Sequence, residues 1–203
     1  MRSRLAKIFT GTHLDYGIND GHVTSKLFGK KPLGQLYVAD IENKLAAENE
    51  LLSDNFLETD PATCRVDVED SRFDSISCMH VIEHVPNSSL LLKEFNRILK
   101  RGGLLYLEAP NRRSLYIPSI SKGRTWNFHD DPTHVRPYST KDLRSVCEAH
   151  GLRVLKSGIY RNRKYALAFP VSPFVSLLLR DWRPLHYSTI HLAGWSSYVL
   201  CQS

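Results

Sequence analysis

The chain has 203 residues, 42% hydrophobic and 24% charged, with a formal net charge of +6. That length suits one globular domain with a full core, and no apolar run approaches the ~20 residues that span a bilayer. The basic start, Met1 to Phe9, lacks the apolar core and cleavage site of a secretory signal, so a cytoplasmic protein is expected. Basic residues are spread out, with short concentrations at Lys100-Arg101, Arg112-Arg113 and Arg161 to Lys164. This reads as a mildly basic solvated surface, with an anionic substrate or membrane surface next in line and no nucleic acid expected. Four scattered cysteines with no C-x-x-C pair signal neither a zinc ribbon nor a redox pair, and Cys78 and Cys147 read as buried small hydrophobes.

In chain order, short apolar runs alternate with amphipathic helical patterns, the signature of βαβ units. His13 to Tyr16 ends a first strand. Asp20 to Phe28 is a helix stopped by Gly29. Gln35 to Ala39 is a second strand, and Ile41 to Leu52 a second helix with Ile41, Leu45 and Leu52 inward. Asn55 to Glu58 is a short third strand, and the polar stretch Asp60 to Arg72 has no clear assignment. Phe73 to Met79 is the fourth strand. Pro86-Asn87 opens a helix with Leu91, Phe95, Ile98 and Leu99 buried, closed by Gly102-Gly103. Leu104 to Glu108 reads as a central parallel strand.

Arg112 to Pro137 is a long irregular stretch rich in aromatics, His, Asp and Arg, and loops of that length are usually functional. Ser139 to Asp142 is a capping box that starts a helix ending at Gly151. Leu152 to Ile159 and Thr189 to Cys201 read as the last two strands. Between them lies the apolar stretch Ala166 to Arg180, interrupted by Pro170 and Pro173.

The strongest local signal is Leu14-Asp15-Tyr16-Gly17-Ile18-Asn19-Asp20-Gly21-His22-Val23. It joins a strand to a helix through a small-residue turn, which lets backbone N–H groups approach an anionic group. Asp40 ends the next strand, near the spacing at which a carboxylate meets a ribose diol. The dinucleotide fingerprint G-x-G-x-x-G fails, because Asn19 and His22 stand where its second and third glycines belong.

The segment resembles motif I of the class I S-adenosylmethionine-dependent methyltransferases, an acidic-x-Gly-x-Gly-x-Gly loop. Asp15, Gly17 and Gly21 match, and Asn19 replaces the middle glycine. Asparagine adopts positive φ more readily than most residues, so the loop geometry is expected to survive. Three more blocks follow in the family's order: Phe73 to Val85, Leu99 to Asn111, and Asp130 to Thr140 with its helix. The resemblance runs from about Leu14 to about Gly158 and covers the small-molecule branch of the family, some of whose members act in surface polysaccharide pathways. It implies a Rossmann-like α/β fold, a seven-stranded, mostly parallel sheet with an antiparallel last strand. It further implies a single domain over 1–203, with 12–111 holding the cofactor and 112–203 supplying substrate loop, lid and last strands.

The implied cofactor is S-adenosylmethionine. The residues carried over for it are Asp15, Gly17, Asn19, Gly21, Asp40, Ile41, Asp60, Met79 and His80. Asp40 either binds the ribose hydroxyls, caps the next helix, or does both. Asp60 either contacts the adenine or is a turn residue before Pro61. Met79 either lines the pocket or is core, and His84 is structural or supports the site from behind. The protein's task in methyl transfer is to align the acceptor and exclude water. The candidate chemistry lies in His129 to Arg136. His134 or His129 is the candidate base for a hydroxyl acceptor. Arg136 either pairs with an anionic substrate or joins the aspartates in a structural knot. No metal is assigned, the weak alternative being His129, Asp130 and His134. Tyr116, Trp126 and Phe128 either wall the acceptor pocket or pack a lid.

Motif I begins about a dozen residues in, so the helical cover that precedes it in the family is expected to be nearly absent. The loop after Pro110, the segment Ala166 to His186, or a second subunit is expected to replace it. The leading expectation is methyl transfer to a small, carbohydrate or glycolipid-type acceptor, with peripheral membrane contact and a homodimer as further partners. The alternatives are an RNA or protein methyltransferase, or a degenerate fold that acts through partners.

Overall fold

The computed structural model describes residues 5, 7–28, 35–45, 52–120 and 125–203. Its centre is a seven-stranded sheet of β1 (Thr12–Tyr16), β2 (Gln35–Asp40), β3 (Phe56–Glu58), β4 (Phe73–Met79), β5 (Leu99–Pro110), β6 (Arg153–Tyr160) and β7 (Ser196–Gln202), in the order β3-β2-β1-β4-β5-β7-β6. β3, β2, β1, β4 and β5 pair in parallel, while β7 runs antiparallel between β5 and β6. The Rossmann-like sheet with an antiparallel last strand is therefore present. The chain's direction of sheet growth reverses at β1 and β4, and in open α/β sheets ligands bind beyond the strand ends at that point.

The helices are α1 (His22–Phe28), α2 (Ser88–Ile98), α3 (Thr140–Ala149), α4 (Arg163–Leu167), α5 (Ser172–Leu179) and α6 (Arg183–Ala193). Alternation along the strands sends side chains to opposite faces. Leu105 and Leu107 of β5 join one core with Leu91, Phe95 and Ile98 of α2 and Leu143 and Cys147 of α3. Tyr106, between them, joins the other core with Phe9, Phe28 and Leu200. All four cysteines are free and buried, Cys78 and Cys147 among them.

Local chemistry explains the helix ends. Asn87 accepts a hydrogen bond from Ser89 N at 3.1 Å to start α2. The Ser139–Asp142 capping box closes at both ends and starts α3. The stretch Asp60 to Arg72, unreadable as sequence, is held from outside. Buried Glu94 accepts from Val66 N at 3.0 Å, and the Arg97 guanidinium donates to Val66 O, Val68 O and Asp70.

Three expectations need correction. Residues 41–45 form a bend and coil, not the start of a helix, because the Asn43 side chain accepts from Leu45 N and closes a local turn instead; residues 46–51 of that expected helix lie outside the described residues. α2 ends at Ile98, and Gly102-Gly103 belong to β5, where the β4 register shifts. Finally, Thr189 to Ala193 is the end of α6 rather than strand. Pro184 opens that helix, and Gly194, at φ 73°, stops it two residues before β7.

Candidate active site

The loop after β1 carries the backbone strain of the site. Gly17 has φ 80°, Asn19 φ 52° and Gly21 φ 77°. Asparagine thus takes the left-handed conformation at the position of the family's middle glycine. Gly17 is also a close-approach position, since a Cβ there would sit 2.0 Å from Val81 Cγ2. Asp40, at the end of β2, fastens this loop by accepting Asn19 N–H on Oδ2 and Ile41 N–H on Oδ1, each at 2.7 Å.

These residues open onto a cleft of about 440 Å³ lined by Gly17, Asn19, Asp40, Ile41, Asp60 and His80, with Tyr16 and Val81 as its floor. Six of the nine expected cofactor residues therefore meet there. Asp15, Gly21 and Met79 are not among the lining residues. Asp15 is buried beneath the loop, where it accepts from Thr24 Oγ1 at 2.6 Å and Ser77 Oγ at 2.5 Å, so its role is to anchor β1, α1 and β4. Met79 packs into the second core. Both readings of Asp60 are compatible: it accepts from Ala62 N and Thr63 Oγ1 as a turn residue while facing the cleft, and the Thr63 hydroxyl and Ala62 N–H hold its carboxyl below the usual range.

The cleft fits S-adenosylmethionine on its own evidence. The missing Cβ of Gly17 is the room that Val81 Cγ2 occupies, so the turn after β4 closes directly on the loop. The loop's glycines let backbone approach a ligand closely, and a carboxylate with four acceptor directions still has two to offer after its two backbone bonds.

A second cavity, about 290 Å³, adjoins it and is lined by His80, Glu83, His84, Asp131, His134 and Trp195, among others. His80, His84 and Asp131 wall both spaces. His80 sits at φ 61° just past β4, with Nδ1 3.3 Å from Glu83 Oε1 and Nε2 3.6 Å from Glu108 Oε1. Burial alone would lower its pKa, but the carboxylates Glu108 and Glu83 outweigh this and raise it to about 9, which holds the ring as imidazolium. The long loop after β5 folds over this cavity and is pinned by α6. Trp195 Nε1 donates to Trp126 O at 2.9 Å, His186 Nε2 meets Thr125 O at 3.1 Å, and Trp126 packs with Ile117 and Leu185.

Of the expected catalytic residues, His134 lines the second cavity, while His129 and Arg136 do not. His129 is exposed in the middle of a 3-10 turn, and the Arg136 guanidinium lies 5.1 Å over the Tyr138 ring instead of reaching an aspartate or the cavity. Asp130 is spent on capping, accepting Trp126 N and Asn127 N at 2.8 Å each, which removes it from the weak metal alternative. Trp126 and Phe128 are buried lid packing, and Tyr116 points outward at 85% exposure. Sequence reading missed Glu83, Glu108 and Trp195. The signal for the two glutamates was there, an acidic residue at the end of each of two adjacent apolar segments.

The family model for a methyltransferase domain matches residues 1–157. This chain belongs to that family. The matched model describes a methyltransferase domain, and S-adenosylmethionine is the cofactor that the resemblance of its motifs implies. Among curated relatives, the ubiquinone biosynthesis O-methyltransferase of Coxiella burnetii is 34% identical over 92 residues, 41% of this chain and 38% of that protein. The chain spans less than half the length of the first curated relatives it matches. An S-adenosylmethionine-dependent methyltransferase of Archaeoglobus fulgidus superposes with a TM-score of 0.64 at 20% identity, covering 100% of this chain and 92% of that one. A methyltransferase from the complex with the Haloferax volcanii Trm112 methyltransferase activator gives 0.72 at 16% identity, covering 99% and 86%.

The Haloferax complex corrects the partner expectation. Acceptor, second copy and membrane surface, with no nucleic acid, was too narrow a set, because a methyltransferase of this fold occurs there with a protein activator bound. Among the described residues no helix is long and apolar enough to cross a membrane.

Proposed function

We propose that this methyltransferase transfers the methyl group to an oxygen of a ring-sized hydroxylated group, of sugar or phenol type, held in the histidine-lined cavity. The single observation that carries this reading is the shared wall. His80, His84 and Asp131 line both the cofactor cleft and the second cavity, so an acceptor in one abuts a methyl donor in the other. The sulfonium cofactor supplies an activated methyl group. The oxygen–methyl bond forms as the methyl–sulfur bond breaks, and the hydroxyl proton must leave. His134 donates Nδ1–H to Phe128 O at 2.6 Å, so Nε2 is the ring nitrogen left for that role. The pinned lid of Trp126 and Trp195 excludes water, and His80 positions the acceptor between Glu83 and Glu108. The same reading assigns 12–111 to the cofactor and 112–203 to acceptor and lid.

Calorimetric titration of S-adenosylhomocysteine into the wild type and Asp40→Ala tests the cofactor half. Micromolar binding, weakened at least tenfold in the variant, is the expected result. Catechols and hydroxylated sugars are then assayed for methyl uptake, and His134→Gln should lower kcat with cofactor affinity unchanged. Lack of S-adenosylhomocysteine binding by folded wild type removes the reading.

A second reading, that turnover needs a protein partner, is favoured by α5, where Phe174, Leu177 and Leu178 are 75%, 80% and 84% exposed. Turnover by the purified chain with no protein added removes it.

A further inference from the structure

Glu83, His84 and His134 form a cluster that methyl transfer by itself does not call for. One ligand atom from each lies within 4.8 Å of the others. Glu83 and His84 lie on the turn between β4 and α2. His134 arrives from the long loop, which is tied to that turn by Val135 N donating to Glu83 O at 2.7 Å. Glu83 is completely buried, and neither of its carboxylate oxygens receives a hydrogen bond of ordinary geometry. Its close cation is His80, at 3.3 Å from Oε1, which leaves Oε2 unanswered. An ionised carboxylate so placed costs several kcal/mol, about the scale of burying one ion, unless more positive charge reaches it.

The histidines are prepared to share that charge. The Phe128 carbonyl can only accept, so His134 carries its proton on Nδ1 and presents Nε2 bare. Thr133 Oγ1 gives its hydrogen to Asp131 Oδ1 at 2.5 Å, so at 2.8 Å from His84 Nδ1 it must accept the ring's N–H. His84 is therefore fixed in the same tautomer, through a carboxylate–hydroxyl–imidazole chain. Metal-binding histidines have this arrangement, the distal nitrogen donating to a carbonyl or carboxylate relay while the other nitrogen ligates. Asp131 Oδ2 stands 3.8 Å from His134 Nε2, adding negative charge at the same place. Phe128 stacks on the His134 ring at 4.6 Å and fixes its plane.

We infer that Glu83, His84 and His134 form a binding site for a divalent first-row cation of the zinc class, at the wall between the cofactor cleft and the acceptor cavity. Two imidazoles and one carboxylate make a three-ligand set that leaves a coordination position open to a substrate oxygen. Tetrahedral ligands of one zinc ion lie about 3.4 Å apart, from bond lengths of 2.0–2.2 Å, so binding draws these side chains together by small rotations. The inference deepens the oxygen-acceptor reading: a cation there lowers the pKa of an oxygen it binds, and the two histidines act on the acceptor through it instead of as free bases.

The test uses the full chain, stripped with a chelator and titrated with Co2+ as probe and then with Zn2+ in competition. S-adenosylhomocysteine binding is measured separately on the stripped protein, so that a failed cofactor site and a failed metal site give different results. The expected outcome is one equivalent of Co2+ with a visible spectrum of low coordination number, displaced by Zn2+. Affinity should fall at least tenfold in both His84→Gln and His134→Gln, each checked for an unchanged thermal midpoint. Glu83→Gln is the third variant, and if it fails to fold the two histidine variants decide alone. No Co2+ spectrum, or a spectrum unchanged in folded His84→Gln and His134→Gln, overturns the inference and assigns any bound metal to adventitious surface sites.

Discussion

The backbone N–H of Asn19 donates to Asp40 Oδ2 at 2.7 Å, so the end of β2 holds the loop after β1 in its left-handed conformation. Asn19 at φ 52° is then replaceable by glycine but not by a β-branched residue. Asn19→Gly should keep S-adenosylhomocysteine affinity within about threefold. Asn19→Val should cost about 1–2 kcal/mol of stability from the left-handed strain alone and weaken binding at least tenfold. Calorimetry and urea melts check both, and equal binding by the two variants would contradict a loop set by φ.

Gly17 and Val81 make a matched pair. Gly17→Ala places a methyl 2.0 Å from Val81 Cγ2 at φ 80°. Stability should fall by about 2–3 kcal/mol, part strain and part overpacking. Val81→Ala in the same chain should restore the overpacking share and leave the strain. A double variant no more stable than Gly17→Ala means the contact is not the cause.

Glu94 and Arg97 hold the stretch that carries Asp60 and Cys64 against the cleft. Glu94 accepts Arg97 Nη2–H at 2.6 Å as well as Val66 N–H, and it is buried. Glu94→Ala leaves Val66 N and Arg97 Nε without their acceptor, while Arg97 keeps Val66 O, Val68 O and Asp70, and should cost about 1–3 kcal/mol in chemical denaturation. Where the protein still folds, cofactor affinity should fall too, because Tyr16 O–H donates to Cys64 O at 3.0 Å and ties this stretch to the floor of the cleft.

His13 sets a pH limit on the fold. It is buried between Phe9 and Phe28, with Nδ1 2.8 Å from Ser75 Oγ and Nε2 3.0 Å from Ser77 Oγ. Burial lowers its pKa to about 3, against a small opposing contribution from a hydrogen bond with Ser75. The folded value lies below the unfolded value of about 6.5, so the fold keeps the ring neutral. Its contribution is whole above pH 6.5 and is lost as the pH falls from 6.5 toward 3, with a slope of at most about 1.4 kcal/mol per pH unit. Urea midpoints at pH 7, 6 and 5 should fall more steeply for wild type than for His13→Gln. Parallel profiles would show that another group titrates.

The α/β class and the cofactor loop were legible because their signals are local. Strand hydrophobicity, the glycines at 17 and 21, the aspartate at the end of β2 and the Ser139 capping box each act through neighbours a few residues away. The seven-stranded, mostly parallel sheet and its antiparallel last strand followed from resemblance, and the sheet bears them out. Where local cues competed, reading failed: Asn43 closes its own turn against helix, and the β-branched pair Thr189-Ile190 lies in α6 because Gly194 is what ends that element.

Which chemistry-bearing residues meet is set by packing across the fold. Asp15 and Arg136 matched a motif or a charge pattern, yet packing turned one into the core and the other onto Tyr138. Glu83, His84 and His134 come from segments 50 residues apart and converge because Val135 bonds the Glu83 carbonyl. The strand–loop–helix around Gly17 was readable in advance, since its backbone geometry is set by residues near one another along the chain. The acceptor wall depends on distances across the fold, and those are fixed only when the long loop is folded back and pinned under α6.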